Sequence, residues 1–155
     1  MKKLLCVLLS LSLLTGSTLI TNATDRSITK TVEYLEDGSY FVTTIETAQN
    51  DGLPLLRAST RSGSKTITYK SSSGTSLWSV TVTGSFTYGS TTACTSASVS
   101  ATLYSPSWKV SDKTSSRSGT TARASAKGTQ YLASVAVGSI TQSATLTCSS
   151  TGVLS

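Results

Sequence analysis

Side chains able to carry acid–base or metal chemistry are scarce in this 155-residue sequence. Histidine is absent, which removes the commonest general base and the commonest metal ligand. After Asp51 the only carboxylate side chain is Asp112, so a paired-acid glycosidase would have to take acids from the N-terminal part. Composition leaves a serine–lysine dyad open, but no motif places one. We therefore expect no enzyme activity, no metal and no cofactor.

The cysteines are the next residues with chemistry of their own. Cys6 lies inside the apolar start of the chain, which leaves Cys94 and Cys148 in the remainder. An even number of cysteines in an exported protein indicates a disulfide. We expect these two residues to be joined, with two buried free thiols as the alternative.

Basic residues are concentrated late in the chain. Residues 24–56 carry a net charge of −4 and residues 57–155 a net charge of +8. This asymmetry favours an anionic partner such as a wall polymer or glycan. Nucleic acid is not expected, because aromatic stacking residues do not alternate with the basic ones. The alternative is that these residues only keep strand faces solvated and protect sheet edges. The candidate anion-binding residues follow Trp108 and are Lys109, Lys113, Arg117, Arg123 and Lys127.

The large aromatic residues allow two interpretations. Trp78 and Trp108, with Tyr88, Tyr104 and Tyr131, are candidate aromatic contacts for a sugar. Core packing is the alternative that we favour, because the sequence has few other large side chains to anchor an interior.

The beginning of the chain has the features of an export signal. Lys2 and Lys3 precede an apolar run over residues 4–14, and a polar stretch then ends at Ala23. We predict a signal peptide over residues 1–23, whose helix is cleaved, and a secreted or wall-associated protein. The apolar run is about 11 residues, whereas a spanning helix needs about 20, so no membrane span is expected.

An acidic hairpin and a linker are predicted to follow. Residues 24–47 form two strand-like runs around Asp37-Gly38, a strong hairpin signal. A two-residue turn there would place Tyr34 opposite Phe41. Residues 48–64 contain Gly52 and no alternation, which is typical of a linker. The acidic segment is either two added strands or a prosegment that masks the basic part until it is cleaved.

The remaining residues, 65–155, are predicted to form an all-β domain. Serine and threonine dominate, and apolar residues alternate with them rather than recurring at helical spacing. Trp78, Val80 and Val82, for example, share one face of a predicted strand. We expect an antiparallel β-sandwich, immunoglobulin-like or a similar Greek key. Its predicted strands cover residues 66–70, 77–88, 92–104, 108–111, 120–126, 131–137 and 140–148.

Two resemblances bear on this prediction. Cys94, Trp108 and Cys148 come in the order found in immunoglobulin domains, although Leu146 stands where that fold has a tyrosine. The chain also resembles a family of small secreted proteins of unknown function from Gram-positive, clostridial-type bacteria. That resemblance implies an exported β-rich protein with paired cysteines, and it implies no active site. The resemblance rests on residues 34–40 (YLEDGSY), 68–74 (TYKSSSG), 77–84 (LWSVTVTG), 93–96 (ACTS) and 146–148 (LTC).

These observations lead to one main functional expectation and two alternatives. The main one is a secreted, non-enzymatic β-sandwich that binds an anionic wall polymer or glycan at the cell surface. The first alternative is a secreted antibacterial or toxin-like effector with an acidic prosegment. The second is a structural matrix or coat component.

Overall fold

The structure is a computed structural model that describes residues 26–48 and 59–155. The predicted signal peptide, with Cys6, and residues 49–58 of the predicted linker lie outside the described residues. The described part of the chain is all-β, as predicted. Its strands are β1 (Arg26–Tyr34), β2 (Tyr40–Ala48), β3 (Ser59–Lys70), β4 (Ser76–Tyr88), β5 (Ala93–Leu103), β6 (Trp108–Ser118), β7 (Thr121–Leu132) and β8 (Val135–Thr147).

The strands form two antiparallel sheets in which every neighbour in space is also a neighbour in sequence. One sheet has the order β1-β2-β3-β4-β5 and the other the order β6-β7-β8. The antiparallel pairing is therefore as predicted. The strand order is not that of an immunoglobulin domain or a Greek key, because within each sheet every strand pairs with the next one in sequence and none returns beside an earlier one. No helix in the described ranges is long and apolar enough to cross a membrane.

The two sheets face each other around a core whose side chains differ in size between the layers. β4 contributes large residues, and Trp78, Val82 and Phe86 are fully or almost fully buried. β7 contributes small ones, since its inward positions are three alanines and Gly128. Alternation along both strands places these residues on the inner face and places hydroxyl residues, with Arg123 and Lys127 of β7, on the outer face. Small residues opposite large ones let the two layers interdigitate closely.

The first hairpin has a three-residue loop instead of the predicted two-residue turn. The Leu35 amide donates to the Ser39 carbonyl at 2.8 Å, and Gly38 has a φ of 79°. Tyr34 therefore pairs with Tyr40 and not with Phe41. Because a one-residue shift of register exchanges the faces of a strand, Tyr34 is exposed on the face opposite to the buried Phe41. Hydrogen bonds from Ser39 to the Asp37 carboxylate hold the loop and lower the pKa of Asp37.

The β1–β2 hairpin is part of the five-stranded sheet. β2 pairs along its whole length with β3, which begins at Ser59, within the range predicted to be a linker. Phe41 is buried against Tyr69, with ring centroids 5.1 Å apart, and Tyr69 in turn meets the edge of Trp108 at 5.4 Å. This row of rings joins the hairpin to the core between the sheets. β1, by contrast, contacts only β2.

Residues 131–137 form the end of a hairpin and not a separate strand. β7 continues to Leu132 and β8 begins at Val135, so Ala133 and Ser134 make a two-residue turn. Both have a left-handed backbone, with φ values of 47° and 71°. A turn of this kind normally takes asparagine or glycine, and the absence of those residues is why the sequence pattern did not indicate it.

Candidate functional site

Three of the five candidate anion-binding residues lie on one surface, the outer face of β6, β7 and β8. Lys109 pairs with Thr129 on β7, and Lys127 and Arg123 lie two and six residues before Thr129, on the same side of that strand. Four residues separate Arg123 from Lys127, which corresponds to about 13 Å along an extended strand. Arg123 and Lys109 are exposed and Lys127 is half-buried. The register therefore aligns three cations on one side of the smaller sheet.

All the remaining strand residues of this face are serine or threonine. We call the surface the basic hydroxyl face, and its hydroxyl residues are Ser111, Thr114, Ser116, Ser118, Thr121, Ser125, Thr129, Ser139, Thr141, Ser143, Thr145 and Thr147. Hydroxyl groups both donate and accept hydrogen bonds, so they suit the oxygens of a phosphate or a sugar as well as water. No strand position of the face carries an acidic side chain that would neutralise the cations.

A shallow groove crosses the middle of the basic hydroxyl face. Arg123 lines it together with Thr114, Ser116 and Ser143. The Ser143 hydroxyl donates to the Ser125 hydroxyl at 3.1 Å, and Ser125 donates to the Gln142 carbonyl at 3.2 Å. These bonds fix the hydroxyl groups in orientation beside the guanidinium. The arrangement is suited to holding an anionic or hydroxyl-bearing ligand by hydrogen bonds and charge, and it contains no nucleophile with an adjacent base.

Lys113 lies at an irregularity of β6 beside this face. The register with β7 shifts between Ser111 and Thr114, so Asp112 and Lys113 have no partner of their own. Asp112 has a left-handed φ of 51°, and its carboxylate accepts a hydrogen bond from the Ser111 hydroxyl at 3.2 Å. A bulge of this kind redirects the side chains next to it. Lys113 is exposed there, with a carboxylate as its neighbour in sequence.

Arg117 does not belong to the basic hydroxyl face, which corrects its assignment as an anion-binding residue. It pairs with the buried Ala122 and therefore lies on the opposite side of β6. Its guanidinium donates to the backbone carbonyls of Cys94, at 3.3 Å, and of Thr95. Arg117 thus bridges the edge of β6 to the edge of β5, and its charge is directed at backbone oxygens of the other sheet.

The two tryptophans are core residues and not surface contacts for a sugar. Trp78 is 1% exposed and Trp108 is 4% exposed. The Trp78 indole packs on Gly128 of the facing sheet, where a Cβ atom would overlap it. This finding corrects their assignment as candidate aromatic contacts and agrees with the core-packing interpretation. Tyr131 instead presents a ring near the basic hydroxyl face, because the Lys109 ammonium lies 4.7 Å from its centroid.

Cys94 and Cys148 are both buried, and the structure has them as free thiols where a disulfide was predicted. Each thiol donates instead to a backbone carbonyl, Cys94 to Ser96 at 3.2 Å and Cys148 to Ser149 at 3.4 Å. Their backbone amides donate to the carbonyls of two successive residues, Gly119 and Thr120, at 2.8 and 3.0 Å. The two cysteines therefore flank the same turn, between β6 and β7, from opposite sides.

Burial controls the ionisation of both thiols. Removal from water raises the pKa of Cys94, partly offset by the charge of Arg117. Burial likewise raises the pKa of Cys148; the Arg61 guanidinium lowers it, and the nearby Cys94 raises it further. A raised pKa keeps both groups protonated at neutral pH, so neither is an activated nucleophile.

The hydroxyl residues of the groove are the part of the site that the sequence analysis did not identify. The sequence does carry one signal for these residues, which is alternation. Arg123, Ser125 and Lys127 alternate with alanines, so they share the solvent face of a strand. The partners on β6 and β8 depend on the register, and the shift beyond Ser111 hides that register from a sequence pattern.

The described residues include no group of three or more cysteine, aspartate or glutamate side chains arranged to hold a metal ion. Comparison of the chain with models of known protein families, with curated proteins and with solved structures gives no match.

Proposed function

We propose that this chain is an exported, non-enzymatic β-sandwich that binds an anionic polymer or glycan of the cell surface. The observation that carries the proposal is the basic hydroxyl face, on which Lys109, Arg123 and Lys127 stand among serine and threonine alone. A polymer with regularly repeated negative charges would meet cations along β7 and hydroxyl groups between them. Charge then supplies attraction, and the hydroxyl groups supply hydrogen bonds to sugar or phosphate oxygens.

The acidic hairpin is compatible with binding in the uncleaved protein. β1 contacts only β2, at the far edge of the other sheet, while Lys109 and Arg123 remain exposed. A masking prosegment would have to cover these cations, and the described hairpin lies elsewhere. We therefore favour polymer binding without proteolytic activation over the effector with an acidic prosegment.

The test is retention on purified cell walls. The mature protein is mixed with walls that retain their teichoic acid and with walls stripped of it, and the bound fraction is measured as salt is increased. We expect retention only on the anionic walls, and release by moderate salt, because exposed charge contacts are screened at high ionic strength. Equal retention on both preparations would contradict the proposal.

A pair of variants locates the binding surface. Arg123→Gln with Lys127→Gln removes two cations of the basic hydroxyl face, and we expect several-fold weaker retention. Lys30→Gln with Lys70→Gln is the matched control, because it likewise removes two cations, both from the other sheet. If the control weakens retention as much as the Arg123 and Lys127 variant does, only net charge matters and the assigned surface is wrong.

The compartment forms a separate part of the proposal. We propose that export allows Cys94 and Cys148 to form the disulfide predicted from the sequence. Support comes from their position on both sides of the Gly119-Thr120 turn and from the influence of Cys94 on the pKa of Cys148. Fractionation of a culture into medium, wall and membrane tests the location, and peptide mapping without reductant tests the bond. Unlinked cysteines in protein recovered from the medium would refute the pairing.

A further inference from the structure

The end of the β7–β8 hairpin is an exposed apolar segment that polymer binding does not use. We call residues 132–137 the hairpin tip. Leu132, Val135 and Val137 are 71%, 65% and 54% exposed, and the residues between them are two alanines and one serine. Single exposed apolar residues are ordinary in soluble proteins, but a contiguous group marks an interaction surface. Leu132 and Val135 are direct register partners, so their side chains form one continuous patch.

The hairpin tip extends past the strand beside it. β6 begins at Trp108, which pairs with Gln130, and the Tyr131 amide donates to the Ser107 carbonyl at 2.7 Å, so β7 and β8 continue without a paired neighbour on this side from Leu132 onward. Leu132 and the turn correspond to about 7 Å. That length equals the depth to which interfacial protein segments enter a bilayer, about 5 to 10 Å.

A cation and polar groups stand at the base of the hairpin tip. Lys109 lies over the ring of Tyr131, and both line a cleft with Ser107 and Ser134. Tyrosine and lysine at this depth match the headgroup region of a membrane, where amphipathic rings and cations are favoured. The acidic Glu36 and Asp37 lie in the β1–β2 loop, at the same end of the sheets, because Phe41 and Tyr69 connect that hairpin to Trp108. Among the residues that line the cleft itself, the one charged side chain is that of Lys109, so the charge in the cleft is positive.

The turn of the hairpin tip keeps side chains at two positions where glycine would be less strained. Ala133 and Ser134 hold a left-handed backbone that glycine would adopt without strain. Glycine at these positions would remove side chains from the only part of the hairpin that β6 does not flank. Strained backbone of this type is concentrated at functional sites.

We propose that the hairpin tip inserts into the interface of a bilayer that contains anionic lipids, with a lipid headgroup in the cleft beside Lys109 and Tyr131. The partner is a lipid surface, which differs from the polymer of the basic hydroxyl face. Arg123 lies eight residues before Tyr131, about 27 Å along the strand, well beyond the Debye length of about 8 Å at physiological ionic strength. Lys109 belongs to both surfaces, but Arg123 belongs to the basic hydroxyl face alone, so mutation of Arg123 on one side and of Leu132 and Val135 on the other separates them.

The test is flotation of the mature protein with vesicles. The vesicles are either phosphatidylcholine alone or an equal mixture of phosphatidylcholine and phosphatidylglycerol. We expect binding to the mixed vesicles, weakened by salt, and little binding to phosphatidylcholine. Leu132→Ser with Val135→Ser should lower the partition coefficient by about tenfold or more, because two apolar side chains no longer leave water. Lys109→Gln should lower it by about fivefold.

Controls separate this proposal from the previous one. Val153→Ser changes an equally exposed valine at the opposite end of the sheets and should leave vesicle binding unchanged. Arg123→Gln should weaken wall retention and spare vesicle binding, whereas the Leu132 and Val135 variant should do the reverse. Because all these residues are exposed, thermal unfolding of each variant should match that of the unchanged protein.

A fluorescent variant provides an independent readout. Trp78 and Trp108 are buried, so Leu132→Trp adds the one indole that can meet lipid, and quenching by brominated lipid should appear only in that variant. Absence of quenching, or equal flotation of the Leu132 and Val135 variant and the unchanged protein, would overturn the proposal. Concentration-dependent dimerisation that the same variant abolishes would also overturn it, because a second copy would then be the occupant.

Discussion

Among single residues, two glycines show where a prediction from the sequence differs from the structure. Gly128 and Gly138 fall between the strands predicted over residues 120–126, 131–137 and 140–148, but both lie within strands. Gly128 is there because the Trp78 indole occupies the space of a side chain. That contact joins two sheets, and no local pattern encodes it. The alternation that buries Trp78, in contrast, was predictable, because it follows from the period of a strand alone.

Gly128→Ala should destabilise the protein. The added Cβ would overlap the Trp78 indole, and either the ring or the facing strands must move. We expect a loss of about 1 to 3 kcal/mol in the free energy of unfolding, measured by urea denaturation. Gly138→Ala is the control, since nothing lies within 4 Å of its added Cβ, and it should change stability little. Equal effects of the two variants would show that the packing on Trp78 is not what requires glycine.

For the strands and turns, the sequence predicted the positions of turns better than the registers in which strands pair. The hairpin around Asp37-Gly38 was predicted, but its loop has one more residue than expected, and that places Tyr34 opposite Tyr40 and on the other face from the buried Phe41. β6 was predicted to stop at Ser111, yet it continues to Ser118 through the irregularity at Asp112. Loop length and bulges depend on which residues the sheet buries, and that is a property of the tertiary structure.

Cys94 lies in β5 and Cys148 directly after β8, and their thiols make the stability of the reduced protein depend on pH. Burial raises both thiol pKa values above their ordinary value of 9.0. The unfolded chain therefore releases these protons at a lower pH than the folded one does. Their contribution to stability is complete below pH 9 and is lost as the pH rises through the folded pKa values.

We expect the free energy of unfolding of the reduced protein to fall more steeply above pH 9 than that of the Cys94→Ala, Cys148→Ala variant. Denaturation with reductant at increasing pH measures the difference, and the comparison cancels the titration of lysine and tyrosine. Protein with the proposed disulfide should lack the additional fall. Parallel profiles for all three forms would mean that the thiols are not buried in solution.

For the whole molecule, composition predicted the all-β class correctly but not how its parts connect. The separation into an acidic hairpin, a linker and a basic domain followed charge and glycine content. The structure instead continues one sheet across the boundary, because β2 pairs with β3 from Tyr40 to Ala48. Charge does not report strand pairing, since the amide groups that pair are the same in every residue.

Removal of the β1–β2 hairpin should therefore weaken the rest of the protein. A chain that begins at Ser59 loses Phe41 and exposes Tyr69 and the whole edge of β3. We expect its Tm to be lower by about 10 °C, given the burial of one phenylalanine alone, and we expect aggregation through the uncovered edge. A chain that begins at Thr24 is the control. Equal Tm values and equal elution on gel filtration would indicate that the hairpin is dispensable.

The single-neighbour contact of β1 also sets how the larger sheet opens. β1 is held on one side only and its side chains are exposed, whereas β4 lies between β3 and β5 and under the smaller sheet. Opening should therefore begin at β1 and proceed inward strand by strand. Backbone amides should exchange with deuterium fastest in β1, more slowly in β2 and slowest in β4. A mechanical or proteolytic challenge would then detach the N-terminal margin while the surfaces on β6, β7 and β8 stay folded.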